Sequence, residues 1–255
     1  SVSRLYDFLD ASIETEIVEN DKLDITFEVK ESEKFYVKRI NIIGNNITEE
    51  RVLRDMLEVD EGDPFNKLLH AKSINNLKAR NIFQDVKSEI VDTPDSNLKN
   101  INITVEEKAT GEVLVGAGVG SEGGTAQFSV SENNFLGKGI KLSTGLRVSE
   151  ERIRGNFTVT NPNFNYSDKS LSTDLFLTDT DKLSDNGYKS TNAGFSLGTR
   201  FEQYDDLFFK PTIRTTYEDL ITNSSASASL KKQQGSYLTT DFVYILDFDK
   251  RNQRF

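Results

Sequence analysis

From residue 124 to residue 248, apolar and polar residues alternate, and that period of two limits what this part of the chain can become. Ala126, Phe128 and Val130 alternate with Gln127, Ser129 and Ser131, and Ile140, Leu142, Leu146 and Val148 with Lys141, Ser143, Gly145 and Arg147. Ile153, Phe157 and Val159 stand against Arg154, Asn156 and Thr158, and Phe195 and Leu197 against Ser196 and Gly198. The last run carries Leu238, Phe242, Tyr244, Leu246 and Phe248 on one face. Successive side chains of a strand point to opposite faces, so each run is a strand with one face that avoids water. About eight strands are expected, near 113–120, 124–134, 138–149, 152–161, 169–179, 188–202, 206–219 and 236–248.

The avoided water can be replaced by a second protein sheet, as in a soluble sandwich, or by lipid. Three features favour lipid. Many runs reach the roughly 9–11 residues that a tilted strand needs to cross hydrocarbon. The opposite face carries Lys, Arg, Asn, Ser and Gly, which suits a watery lumen better than a packed interior. Short connections (Glu150-Glu151, Tyr204-Asp205) alternate with long ones (180–188, 220–236), as expected of turns at one barrel end and loops at the other. Phe135, Phe164, Tyr166, Tyr188, Phe201, Tyr204 and Tyr217 fall near run ends, as in interfacial girdles.

Before residue 109 the chain is a different object. Only Gly44 and Gly62 of the sixteen glycines lie there, with −8 of the formal −10 charge. Phe35–Ile43 reads as a strand ending at the turn signal Gly44-Asn45-Asn46. Thr48 is placed to cap a helix carrying Val52, Leu53, Met56 and Leu57, with Glu49 and Glu50 at its positive end. After the acidic connector Glu58–Pro64, residues 66–80 form a second helix with Leu68, Leu69, Ala71, Ile74, Leu77 and the Lys78 stem on its packed face. Residues 83–91 and 100–107 alternate as strands. The order is β-α-α-β-β. Ahead of it, Leu5–Leu9 reads as a helix end, and Ser12–Val18 and Leu23–Val29 as two strands, the closing part of a second such unit.

Composition excludes several chemistries. With no cysteine there is no disulfide scaffold, thiolate metal site or cysteine nucleophile, and His70 is the single histidine. A Ser/His hydrolase constellation in the barrel cannot be built, and Asp174, Asp241 and Asp247, expected to face the lumen, lack the pairing of an acid–base couple. The chain is therefore not expected to be an enzyme or to need a cofactor or metal. Its acidic balance argues against nucleic acid. Gly118-x-Gly120-x-x-Gly123 spells a dinucleotide fingerprint, but a strand follows where the fingerprint requires a helix. Gly116, Gly118 and Gly120 then leave two readings, close packing in a curved sheet or a weakly held edge strand.

Ordered motifs carry a resemblance. Tyr36-Val37-Lys38-Arg39-Ile40, Gly44-Asn45, Glu61-Gly62, Leu77-Lys78-Ala79-Arg80 and Val105-Glu106-Glu107-Lys108 are followed by the Gly116–Gly124 run, Asn133–Gly139 and Val159–Phe164. Together they resemble the POTRA-plus-barrel outer-membrane proteins, most closely the BamA-type assembly factors. The resemblance implies an α+β POTRA domain (β-α-α-β-β) at 35–108, preceded at 1–31 by the C-terminal part of the penultimate POTRA domain. An antiparallel transmembrane β-barrel follows at 111–255, its about eight strands being the first half of a sixteen-stranded barrel. The chain is thus expected to be an internal piece of a Gram-negative outer-membrane protein with its POTRA part in the periplasm. Its implied function is insertion of β-barrel clients by strand templating. Val113, Val115, Gly116, Gly118 and Gly120 would form the lateral gate strand. Glu61 and Gly62 would dock an accessory lipoprotein, or belong to a merely solvated turn. Tyr36, Lys38 and Ile40 would offer an edge for unfolded clients, with ordinary sheet completion as the default reading. Other readings are a POTRA-bearing secretion or translocation pore (two-partner secretion or TamA-like), a soluble periplasmic β-protein, and an eight-stranded porin or outer-membrane enzyme.

Overall fold

The computed structural model describes residues 9–18 and 22–31 as backbone strands, and 35–95, 97–120 and 123–249 more fully, apart from the Tyr166 side chain. Most of the expected helix end at Leu5–Leu9 lies outside the described residues. Two compact units, Ser1–Ala109 and Thr110–Phe255, divide the chain.

In the first unit, β1 (Leu9–Val18) and β2 (Lys22–Glu31) form an antiparallel hairpin. Next come β3 (Tyr36–Ile43), α1 (Glu50–Arg54), α2 (Lys67–Ala79), β4 (Phe83–Asp92) and β5 (Leu98–Glu107). These give the expected β-α-α-β-β order, with a three-stranded sheet ordered β3-β5-β4. β5 is central, parallel to β3 and antiparallel to β4. Alternation on β5 buries Ile101, Ile103 and Val105 against Val37, Ile40, Leu53, Leu77 and Phe83. Leu53 and Leu77 are fully buried, and truncating such a leucine to alanine costs about 2–5 kcal/mol.

Local details correct two expectations. Thr48 does not cap the first helix; Glu49 holds the cap position without a side-chain bond, and helix α1 is a single short turn. Thr48 is instead buried, its N–H donated to Glu107 Oε1 at 2.7 Å. On α2, Leu68 is exposed, and the packed stripe runs through Leu69, Ser73, Ile74 and Leu77. Buried Ser73 is satisfied on both sides, its hydroxyl donating to Leu69 O at 2.9 Å and accepting from Glu58 N at 2.7 Å. Asn66 caps α2 by accepting from the N–H groups of Leu68 and Leu69. Gly44 has φ +96°, and a Cβ there would lie 2.0 Å from Val105 O, so the turn admits only glycine.

The second unit is one antiparallel eight-stranded sheet, in chain order from β6 to β13. Its strands are β6 (Gly111–Gly120), β7 (Gly123–Phe135), β8 (Ile140–Ser149), β9 (Arg152–Asn161), β10 (Ser170–Lys182), β11 (Tyr188–Tyr204), β12 (Leu207–Thr222) and β13 (Gly235–Phe248). All eight expected strands are present. The sheet is open: among the described residues, β6 pairs only with β7 and β13 only with β12. The connections do not sort as expected, because 150–151 shares an end with the longer 183–187 and 223–234, while 136–139, 162–169 and 205–206 lie at the other end. β10 and β12 outrun the expected boundaries; at the end of β10, polar cross-strand bonds to β11 continue the ladder, Thr191 Oγ1 to Asp179 at 2.5 Å and Lys189 to Asp179 at 3.2 Å. The 223–234 connection contains a short helix, α3 (Ala228–Lys232), capped by Ser227.

The β3–α1 turn closes on the end of β5 through one carboxylate. Glu107 accepts from the N–H groups of Asn46 (2.9 Å), Ile47 (2.9 Å) and Thr48 (2.7 Å). Partial burial pushes its carboxyl up, but the Thr48 hydroxyl and these three N–H groups outweigh that and hold it below the usual carboxylate range. A depressed folded-state pKa contributes stability that is complete above the unfolded carboxyl value and lost as pH falls through the folded one. Glu107→Ala should therefore destabilise this unit by about 1–3 kcal/mol at neutral pH. The deficit should shrink as pH falls below about 4, as read by urea unfolding followed at β5 amides.

Candidate functional site: an uncovered sheet face and its first strand

Cross-strand register sorts the sheet's residues into rows that read alternately apolar and polar. One row runs Val115, Phe128, Leu146, Gly155, Leu177, Ala193, Tyr217 and Leu238. A row of the opposite face runs Glu112, Ser131, Ser143, Thr158, Asp174, Ser196, Arg214 and Asp241. The apolar face is not covered by protein: Val115, Phe128, Leu146, Phe157, Leu175, Phe195, Ile213 and Phe242 are all exposed. Among the described residues the buried apolar cluster lies within residues 37–105, and the second unit buries only Leu220 and Ala226 among its apolar residues. Hydrocarbon is the medium that resolves such a face, since a large side chain left in water forfeits about 1.5–3 kcal/mol.

The polar face behaves as a wet surface. Asp174 accepts from Thr158 Oγ1 and Ser196 Oγ, each at 2.8 Å, and Lys210 pairs with Asp247 at 3.1 Å. Arg147 and Arg154 sit directly opposite one another, a like-charge pair that only solvent screening makes tolerable. Asp174, Asp241 and Asp247 share this face, as expected. Among the described residues no group of acidic or histidine side chains could hold a metal ion. His70, in the first unit, bonds Ser88 Oγ at 3.0 Å, and burial lowers its pKa.

The apolar band also gives the strand tilt. On β6 it runs from Val113 to Val119, centred at Gly116, whose row meets Tyr237 on β13. On β13 the band runs from Leu238 to Phe248, centred roughly six residues further along. At about 3.3 Å per residue and about 4.8 Å per strand, that drift corresponds to a tilt of about 30°, near the 35–45° of membrane barrels. Aromatics collect at one end of the band. Phe201 meets Phe209 edge-on at 5.8 Å, and Phe209 meets Tyr244 at 6.5 Å, extending the expected girdle.

All five residues expected in the gate strand lie on β6, the first edge of the sheet. Val113 and Val115 face the apolar side, 63% and 77% exposed, and Val119 reaches 92%. Gly116 is overlaid by the Gln127 side chain, whereas Gly118 and Gly120 have open space where a Cβ would stand. The far half of β6 is therefore held by backbone pairing to β7 with almost no side-chain packing.

The connector sites are less open than expected. Glu61 Oε1 accepts from Ile40 N at 3.0 Å and lies 3.5 Å from Arg54 Nη1, while Arg54 Nη2 donates to Ile40 O at 3.0 Å. Gly62 N donates to Val37 O at 2.7 Å, Val37 N to Asp63 O at 2.9 Å, and Tyr36 bridges Pro64. The outer edge of β3 from Tyr36 to Ile40 is thus already paired by residues 61–64 and Arg54. A client strand could add there only by displacing them. Lys38 points away to Asp95, at 2.7 Å. Sequence reasoning missed Glu132, whose signal was available: it is a carboxylate on the apolar side of the run Ala126, Phe128, Val130.

Comparison with known proteins places this architecture. Residues 35–108 match the POTRA family, described as surface antigen variable number repeat, and residues 134–255 match the Omp85 superfamily domain. The chain joins a POTRA domain to an Omp85 domain and is similar to proteins of the BamA type. It is 30% identical over 157 residues to the outer membrane protein assembly factor BamA of Buchnera aphidicola, covering 61% of this chain and 25% of that one. The crystal structure of BamA from Haemophilus ducreyi lacking POTRA domains 1–3 superposes with a TM-score of 0.67 at 22% identity, over 95% of this chain and 48% of that one. CdiB from Escherichia coli shares the fold, with a TM-score of 0.59 at 15% identity over 94% and 46% of the two chains. The chain spans about a quarter of the length of the curated BamA relative it matches. Its Omp85 domain and its BamA relatives indicate the Gram-negative outer membrane, with the POTRA domain in the periplasm.

Adjacent residues should respond oppositely to substitution. Leu146→Arg should cost about 2–4 kcal/mol, whereas Arg147→Ser, one residue on and facing the lumen, should cost little. Heat-modifiable gel migration with urea titration in lipid vesicles reads both.

Proposed function

We propose that this BamA-type chain takes part in outer-membrane protein assembly, inserting β-barrel clients by templating strands on the free edge of β6. The observation that carries this reading is the sparsely packed, glycine-rich first strand of a lipid-facing sheet, whose seam is cheap to separate. Unpaired N–H and C=O groups are costly in hydrocarbon, so an incoming client strand gains by pairing with them. The mechanism asks for backbone pairing alone, with no covalent step, cofactor or active site. Unfolded outer-membrane clients and the bilayer are the partners it implies. The relatives named as assembly factors support the reading.

An accessory lipoprotein docking on the connector at Glu61–Gly62 belongs to the same proposal. Glu61 remains about 43% exposed beside its contact with Arg54, and Gly62 has open space around it. Glu61→Gln keeps an acceptor for Ile40 N–H while removing the charge. It should weaken such a complex in a pull-down without disturbing the β3 edge; unchanged binding would count against docking here.

A second reading is a secretion pore, supported by the fold shared with CdiB. The two separate in one experiment. In the full-length protein, a disulfide from Val115→Cys to the strand that closes the seam should stop client barrel assembly and be relieved by reductant. Assembly that proceeds unchanged while export of a passenger protein stops would favour the pore.

A further inference from the structure

Strand β6 poses a register problem. Glycine-rich strands with little side-chain packing specify register weakly, and beyond Gly116 β6 offers almost none. A slip by one residue would exchange its faces. A slip by two would preserve the faces but shift every N–H and C=O along the edge. A strand that serves as a template needs a fixed origin, and the structure supplies one at its start.

Glu132 lies opposite Gly111, on the face that carries Val130 and, across β8 and β9, Leu142 and Val159. Its carboxylate accepts from the Thr110 hydroxyl and from Asn134 N at 2.7 Å. Asn133 N reaches Thr110 O at 3.3 Å, and Asn133 Nδ2 reaches it at 3.5 Å. Here β7 shifts register against β8, between Glu132 and Phe135, and the irregularity is itself held by Gly139 N on Asn134 Oδ1 at 2.8 Å. Glu132 Oε2 stands where it would be 3.2 Å from a Cβ at residue 111, so a glycine there leaves it room. At the far end, among the described residues, the side-chain tie falls on β7: Glu150, from the β8–β9 turn, accepts from Gly124 N at 3.2 Å. Among the described residues, side-chain bonds thus fasten β7 near both ends and β6 at its start alone, while beyond Gly120 β6 is held by the chain that joins it to β7.

A carboxylate on an otherwise apolar face is costly unless its oxygens are satisfied, and hydrogen bonds gain strength where the dielectric is low. We propose that Glu132 is a positioning residue that pins the register of β6 on β7 at Thr110–Gly111, leaving the Gly116–Gly120 half free to move without slipping. This deepens the templating reading and rests on it only for the consequence in client assembly, since the pin itself is a property of the sheet.

Cysteine pairs in the full-length protein, with any cysteine outside these 255 residues replaced, test it in its membrane. V115C/F128C reports the observed register; V113C/F128C and A117C/F128C report slips of two residues. In the parent, the first pair should cross-link and the other two weakly. Glu132→Ala should raise the slipped cross-links several-fold. Thr110→Val should raise them less, because Asn134 N still binds Glu132. E132Q should match the parent, because its carbonyl still accepts. Unchanged ratios in both E132A and T110V, or an E132Q variant that slips as far as E132A, would overturn the pin. Client assembly measured on the same variants separates the two ideas: slipped cross-links with normal assembly would leave the pin standing and refute templating by β6.

Discussion

The architecture of the second unit depends on one constraint: an apolar sheet face that stands exposed among the described residues. The rows through Val115 and Leu238 show side chains matched across eight strands, so the exposure belongs to the register and is no accident of single positions. Only an apolar solvent resolves it. Once that solvent is lipid, the rest follows. Backbone groups must be paired within the sheet, the opposite face must be wet, and any edge becomes the place where free energy remains to be gained.

That constraint gives the edge strand its meaning. In water, an unpaired edge is a hazard that proteins blunt with charge or cover. In a bilayer, the same edge is costlier and more directive, and β6 couples it to minimal side-chain packing. Glycine alone would make such a strand indistinct in register. The Thr110–Glu132–Asn134 cluster answers this by placing a satisfied carboxylate where the apolar band ends. Mobility and definition are thereby assigned to different halves of one ten-residue strand.

In the first unit the governing interactions are also backbone groups satisfied by side chains. Glu107 gathers the N–H groups of the β3–α1 turn, and Glu61 with Arg54 occupies both backbone groups of Ile40. The second arrangement alters how the edge of β3 is understood. Residues that look like an open strand in the sequence are closed by a connector that looks like a solvated acidic turn.

The sequence by itself determined the strands, their alternate faces and the break near residue 109, because period-two patterning and glycine placement are local properties. It also carried the β-α-α-β-β order and the place of the glycine-rich first strand of the sheet, through the spacing of turns and ordered motifs. Tertiary structure alone decided what bonds to what. Thr48 looked like a cap and became a buried donor to Glu107; Leu68 looked like core and is exposed; Tyr36–Ile40 looked free and is paired. Glu132 stood in the sequence as a lone break in alternation, and only the register that sets it opposite Gly111 gives it partners. Such contacts join residues far apart in the chain, and no local pattern encodes which distant group will satisfy a donor.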